Sequence, residues 1–154
     1  LYCGIGNFTL PLASRFRNVL ATELSKPATE AARWNADINN ICNVEFARLS
    51  AEEMTSALSG ERPFRRLAHL KRPLDHYQIN TLLVDPPRAG LDAATLRLAS
   101  RFDTVLYISC NPQSLADNLK SLSNTHAVTK LAFFDQFPYT HHLESGVILT
   151  RRSA

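Results

Sequence analysis

Apolar positions along this chain follow two alternating rhythms. Nearly continuous apolar runs, rich in β-branched residues, alternate with segments whose apolar residues recur at helical spacing. The runs 19–24, 44–49, 81–85, 104–109, 128–134 and 146–150 are expected to be strands. The helical segments are a short one on Leu10, Ala13 and Phe16, an Ala-rich one from Ser25-Lys26-Pro27 to about Ile38, residues 51–58, Asp92 to about Ser100, and Asn111 to about Leu122. Ser, Asp or Asn before several of these segments, and Pro in the first turn of two, are helix-start signals. Strands alternating with helices predict an α/β fold with a largely parallel sheet. No helix separates the last two strands, which residues 135–145 join, so one of them is expected to run antiparallel. Residues 59–79 hold Gly60, Pro63, Pro73 and many cations and read as an irregular excursion.

In a doubly wound sheet, ligands bind beyond the carboxyl ends of the strands. The loop Tyr2-Cys3-Gly4-Ile5-Gly6-Asn7, Glu23, Asp85 and Cys110 all fall there. Cys110 ends an apolar run just before Asn111-Pro112, an N-cap and first-turn pair, so its thiol is expected beside a helix N-terminus. That setting favours a thiolate nucleophile, while the plain alternative is one more small buried residue. Gly4-x-Gly6 lets the backbone approach a ligand, but Thr9 stands where a dinucleotide fingerprint has its third glycine, which argues against a dehydrogenase. Glu23 at a strand end can accept bonds from both ribose hydroxyls of an adenosine, or can simply be solvated. Together the loop and Glu23 suit a nucleoside cofactor without pyrophosphate, such as S-adenosylmethionine.

Asp85-Pro86-Pro87-Arg88-Ala89-Gly90 is a stiff loop lacking backbone donors at two consecutive positions. Methyltransferases acting on exocyclic amines use a similar Asp-Pro-Pro followed by an aromatic residue; Arg88 stands there instead and argues against an amine target. A merely structural turn stays open. Glu144, in Tyr139-Thr140-His141-His142-Leu143-Glu144-Ser145-Gly146, reads as a loop glutamate. His141 and Glu144 lack a third ligand at suitable spacing, so no metal is expected. Arg62, Arg65, Arg66, His69, Lys71 and Arg72, with Phe64, form one basic cluster, either a solvated insertion or a contact for a phosphate backbone.

Composition adds bounds. The 154 residues allow one domain with a real core, and 45% apolar with 20% charged residues excludes disorder as the default. A net charge of +3 permits a nucleic-acid partner without arguing for one. Cysteines at 3, 42 and 110 form neither a disulfide framework nor a metal cluster and fit a reduced, cytoplasmic setting. No apolar stretch approaches the roughly 20 residues of a membrane span. The chain opens at Leu1 directly before a glycine loop that ordinarily follows a strand. We read it as the C-terminal part of a longer protein, cut inside its first strand and expected to be inactive or poorly folded alone.

Leu1-Tyr2-Cys3-Gly4-x-Gly6-Asn7-Phe8, Asp85-Pro86-Pro87-Arg88-x-Gly90, Ser109-Cys110-Asn111-Pro112 and Phe134-Asp135-Gln136-Phe137-Pro138-Tyr139-Thr140-His141-His142-x-Glu144 together resemble the RNA uracil-5-methyltransferases. The resemblance covers essentially all 154 residues. It is closest to the bacterial enzymes that methylate tRNA. It implies a Rossmann-like, S-adenosylmethionine-dependent methyltransferase fold with a mostly parallel, doubly wound sheet whose first strand is truncated. Residues 1–154 would be the catalytic domain, with an N-terminal RNA-binding part outside it. The implied roles are nucleophile for Cys110, proton acceptor for Glu144, and cofactor binding for Tyr2, Asn7, Glu23 and Asp85. The implied reaction is methylation of uridine C5 in the T-loop of tRNA through a covalent adduct of the cysteine with C6. The implied partner is the T-arm of tRNA, with no membrane, no metal and a monomeric enzyme. Ser145 departs from the tRNA enzymes, which tend to have Cys there, whereas ribosomal relatives often have Ser. Gln136 and Tyr139-Thr140-His141-His142 favour tRNA. A ribosomal RNA uridine methyltransferase and a non-catalytic RNA-binding relative are the alternatives.

Overall fold

The structure, a computed structural model, describes all residues except Arg72, His141 and Ala154, and falls into two units, Leu1–Tyr77 and Gln78–Ala154. The first unit runs α1 (Thr9–Ala13), β1 (Val19–Thr22), α2 (Lys26–Ile38), β2 (Val44–Ala47) and α3 (Ala51–Leu58), then two single-turn 3-10 segments, Arg65–Leu67 and Leu74–His76. β1 and β2 pair in parallel, from Val19 opposite Val44 to Thr22 opposite Ala47. Ser25 caps α2 by accepting from the Ala28 N–H, with Pro in the first turn. Ser50 and Glu53 form a reciprocal capping box that starts α3. Ala32 and Ala36 of α2 are buried with Ala21 and Phe46 of the strands, and such small side chains let a helix lie close on a sheet.

The excursion expected to be irregular packs along β2. Phe64, Leu67 and Leu74 cover a buried cluster of Ala47, Leu49 and Met54. His69 Nε2 lies 2.8 Å from the Phe46 carbonyl, and Arg66 donates to the Arg48 carbonyl at 2.9 Å. The Lys71 N–H and the Tyr77 hydroxyl both donate to the Glu45 carboxylate, at 2.8 and 2.6 Å. Among the described residues β2 has only β1 as a ladder partner, and these contacts blunt an otherwise open strand. Part of the basic cluster therefore has a structural task. Arg62 lies over the Phe64 ring, 4.6 Å from its centroid, and Arg72 lies outside the described residues.

The second unit runs β3 (Thr81–Val84), α4 (Ala93–Ala99), β4 (Thr104–Ser109), α5 (Pro112–Leu122), β5 (His126–Phe134) and β6 (Glu144–Arg151). Its sheet has the order β3-β4-β6-β5. β3 and β4 are parallel, and β6 is antiparallel to both its neighbours. Three strands thus run one way, and the expected antiparallel strand is β6. Alternation buries Val105, Tyr107 and Ser109 on β4 and Ser145, Val147 and Leu149 on β6, while α4 and α5 contribute buried Leu98, Leu115 and Leu122. One expectation is corrected. Glu144 is not a loop residue but the first residue of β6, paired with Phe134 of β5. Ladder pairing extends the strand into a polar stretch that propensity alone assigns to a loop.

Candidate functional site

In the first unit the glycine loop is bound to the carboxyl end of β1. The Cys3 N–H donates to the Thr22 carbonyl at 3.0 Å, and the Gly6 N–H closes a turn on the Cys3 carbonyl at 2.9 Å. Gly6 has φ +96°, and a Cβ there would lie 3.0 Å from Leu10 Cγ, so the position requires glycine. Tyr2 has φ +58°, a conformation that costs a non-glycine residue about 1–2 kcal/mol. Glu23 is not a solvated strand end. One of its carboxylate oxygens accepts from the Gly4 N–H at 3.1 Å, the other from the Ser25 N–H at 2.8 Å. The loop, the end of β1 and the start of α2 therefore meet at one carboxylate. Asn7 is exposed and lines a cleft of about 350 Å³ with Ile5, Gly6, Leu10, Asn35 and Ile41. Burial pushes the Cys3 thiol up to about 11, which disfavours its thiolate.

In the second unit the turn after β4 forms as its residue types dictate. Asn111 caps α5 by accepting from the Gln113 N–H at 3.1 Å, and Pro112 is the first helical residue. The Ser109 hydroxyl donates to the Asn111 carbonyl at 2.9 Å and accepts from the Asn111 N–H at 3.1 Å. Between these anchors Cys110 is half-buried and its thiol is free. The last pair of the antiparallel β4–β6 ladder is Ser109 with Ser145. One step further, Cys110 and Glu144 stand at the same end of adjacent strands.

Asp85 follows β3 directly. Burial, and then the neighbouring charge of Glu144, raise its pKa above the usual carboxylate value of 3.8. The Asp85-Pro86-Pro87-Arg88 loop is closed by the Gly90 N–H donating to the Pro87 carbonyl at 2.8 Å. Gly90 has φ +80°, and a Cβ would sit 2.7 Å from Asn118 Oδ1. That oxygen is occupied, accepting from the Tyr107 hydroxyl at 2.7 Å and the Leu91 N–H at 2.8 Å. Asn111 Nδ2 donates to the Arg88 carbonyl at 2.9 Å. The Arg88 guanidinium reaches His142 Nδ1 at 2.7 Å.

The second unit thus brings Asp85, Cys110 and Glu144 to one set of strand ends, and the first unit brings Tyr2 and Glu23 to one loop. A thiol and a carboxylate on adjacent strands can act as nucleophile and proton acceptor on one bound ring. Sequence reasoning missed the Arg88–His142 bond and the node at Asn118. Their partners lie 54 and 27 positions apart, and no periodic pattern connects them. Of the two residues weighed as metal ligands, His141 lies outside the described residues. Among the described residues no group of three or more His, Cys, Asp or Glu side chains could hold a metal, and no helix is long and apolar enough to cross a membrane.

Residues 1–152 match the family model described as tRNA (Uracil-5-)-methyltransferase. The chain is 60% identical over 152 residues to a tRNA/tmRNA (uracil-C(5))-methyltransferase from Teredinibacter turnerae, covering 99% of the chain and 41% of that relative. It is 57% identical to a protein of the same name from Neisseria meningitidis serogroup B, covering 99% and 42% respectively. The chain therefore spans less than half the length of these relatives. Among solved structures, a Pyrococcus abyssi tRNA (uracil-54, C5)-methyltransferase in complex with S-adenosyl-L-homocysteine superposes with a TM-score of 0.73 at 31% identity, over 97% of this chain and 33% of that one. An rRNA methylase from Streptococcus thermophilus superposes with a TM-score of 0.62 at 13% identity, over 98% of this chain and 83% of that one, a likeness of fold alone.

Proposed function

Because the chain belongs to the tRNA (uracil-5-)-methyltransferase family, we propose that its protein methylates C5 of a uridine in the T-loop of tRNA, with S-adenosylmethionine as methyl donor. The residues present fit that cofactor. The pinned Glu23 carboxylate retains lone pairs for ribose hydroxyls, since a carboxylate offers about four acceptor sites and two are used. In this reading Tyr2, Asn7, Glu23 and Asp85 hold the cofactor, which supplies an electrophilic methyl group when bound.

The chain's own residues carry the remaining chemistry. Cys110, as thiolate, adds to C6 of the uracil, forming an S–C6 bond and moving the ring electrons toward C5, which becomes nucleophilic enough to take a methyl group. Glu144 then accepts the C5 proton. The electrons of that C–H bond restore the C5=C6 double bond, the S–C6 bond breaks, and Cys110 leaves as thiolate. A base folded into the T-loop must be turned out to reach these groups. The observation that supports this assignment most is the β4–β6 register, in which the nucleophile and the base stand one step beyond the Ser109–Ser145 pair. The tRNA reading is favoured over ribosomal RNA by relatives 57–60% identical over nearly the whole chain.

The test uses the full-length protein, labelled S-adenosylmethionine and tRNA substituted with 5-fluorouridine. Fluorine cannot leave as a proton, so a covalent protein–RNA adduct should accumulate and vanish in Cys110→Ala. An enzyme that methylates ordinary tRNA without ever forming the adduct would sink the thiolate mechanism. Glu144→Gln should slow release from ordinary tRNA by about 10²–10⁴-fold, the usual worth of a general base. Unimpaired turnover removes Glu144 from that role. Methyl acceptance by T-arm fragments and by ribosomal RNA fragments separates the two substrate classes.

A further inference from the structure

Glu144 is held unequally on its two sides. Toward the carboxyl end, Ser145 is locked in the ladder against Ser109 and Phe133. Toward the amino end the chain is the loop joining β5 to β6, and among its described residues His142 makes several of the contacts. The His142 N–H donates to the Thr140 hydroxyl at 3.1 Å, and that hydroxyl donates to the Phe137 carbonyl at 2.7 Å. The His142 ring meets Phe137 edge-on, with centroids 6.1 Å apart. These contacts brace the loop internally. A hydrogen bond that leaves the loop runs from Arg88 Nη1 to His142 Nδ1 at 2.7 Å.

Arg88 is a firm partner for that bond. Two prolines precede it, Gly90 behind it leaves no room for a Cβ beside Asn118 and Ser114, and its carbonyl accepts from Asn111 Nδ2 at 2.9 Å. Asn111 is the residue after Cys110. A continuous path therefore runs from the nucleophile's neighbour, through the Arg88 carbonyl and guanidinium, to His142, two residues before the base. We propose that His142 is a positioning residue which, through Arg88, fixes the Glu144 carboxylate relative to Cys110 and so governs removal of the C5 proton rather than addition of the thiolate. Arg88 can only donate, so His142 Nδ1 accepts and the ring carries its proton on Nε2.

This inference rests on the reaction proposed above, and its test separates the two. In the full-length enzyme, His142→Ala should form the 5-fluorouridine adduct at the wild-type rate, because Cys110 and its turn are untouched. On ordinary tRNA its kcat should fall about 10- to 100-fold, the effect of a small misplacement of a reacting group. KM should stay unchanged, and methylated covalent adduct should build up during turnover. His142→Asn, whose Oδ1 can accept where Nδ1 does, should recover most of the lost rate. An Arg88→Ala, His142→Ala double variant should lose no more release rate than the worse single variant, since both remove the same bond. Unchanged turnover in His142→Ala, an equal loss of adduct formation and release, or multiplying losses in the double variant would each overturn the inference. Absence of any adduct in the wild type overturns the reaction itself, and the inference with it.

Discussion

Ser109 and Ser145 face each other across the antiparallel β4–β6 ladder as its last pair, and that pairing determines what stands at the ends of both strands. A shift of register by one residue would turn the buried face of β6 outward, exposing Val147 and Leu149. The hydrophobic pattern of the core and the juxtaposition of Cys110 with Glu144 are therefore one constraint.

The coupling of Asp85 to Glu144 is open to titration. Burial first, and the Glu144 charge second, raise the Asp85 pKa above 3.8. Its folded-state pKa thus exceeds the unfolded one. The stability this group contributes is fully present below 3.8 and is lost as pH rises through the folded value. Glu144→Gln should lower the Asp85 pKa but leave it above 3.8, since burial remains, and Asp85→Asn should remove this part of the pH dependence. Carbon-13 NMR of the Asp85 carboxyl group reads the shift directly; a titration unmoved by Glu144→Gln would contradict the coupling.

Ser145 is 1% exposed and its hydroxyl has no hydrogen-bond partner among the described residues. A buried unsatisfied hydroxyl costs about 1–3 kcal/mol, whereas a thiol of the same shape behaves as a small apolar group. Ser145→Cys should therefore raise stability by about 1 kcal/mol, measured by urea unfolding, and leave turnover unchanged. A destabilised variant would mean that the hydroxyl is satisfied in solution.

Gly90→Ala places a methyl group at φ +80° and 2.7 Å from an oxygen already holding two donors. The added strain and overpacking should cost about 2–4 kcal/mol in urea unfolding. Activity should fall as well, because the Arg88 loop is seated on that oxygen. A fully stable Gly90→Ala protein would show that the loop has room to shift.

The cysteines should differ in reactivity. Cys42 is exposed, whereas Cys3 is half-buried and desolvation pushes its thiol up to about 11. Limited alkylation with iodoacetamide at pH 8, read by peptide mass spectrometry, should label Cys42 early and leave Cys3 unmodified. Equal labelling of the two would show that the glycine loop opens readily.

Much of this was legible in the sequence. Residues 51–58, 104–109 and 112–122 form the elements their periodicity and caps predict, because local chemistry at Ser50, Asn111 and Pro112 decides where helices begin. Glu144 reads as a loop residue because its strand character comes from pairing with Phe134, a contact of tertiary origin. The packing contacts of the basic excursion were hidden for a similar reason. Arg66 and His69 are surface residues, as they read, but His69 also meets the Phe46 carbonyl of β2 and Arg66 the Arg48 carbonyl just after it, and nothing in the local pattern marks those partners. The Arg88–His142 bond depends on two loops whose approach is set by the β4–β6 ladder between them.

The Glu23 carboxylate carries a wider implication. Because it already clamps Gly4 and Ser25, the loop behaves as a stencil cut during folding rather than a glove shaped by its guest. The entropy of ordering it is settled when the chain folds, so an adenosine would meet a finished outline. Damage at Glu23 should then register twice, once as a lower melting temperature with no ligand present and again as weaker binding. The same side chain would thus report on the architecture and on the guest.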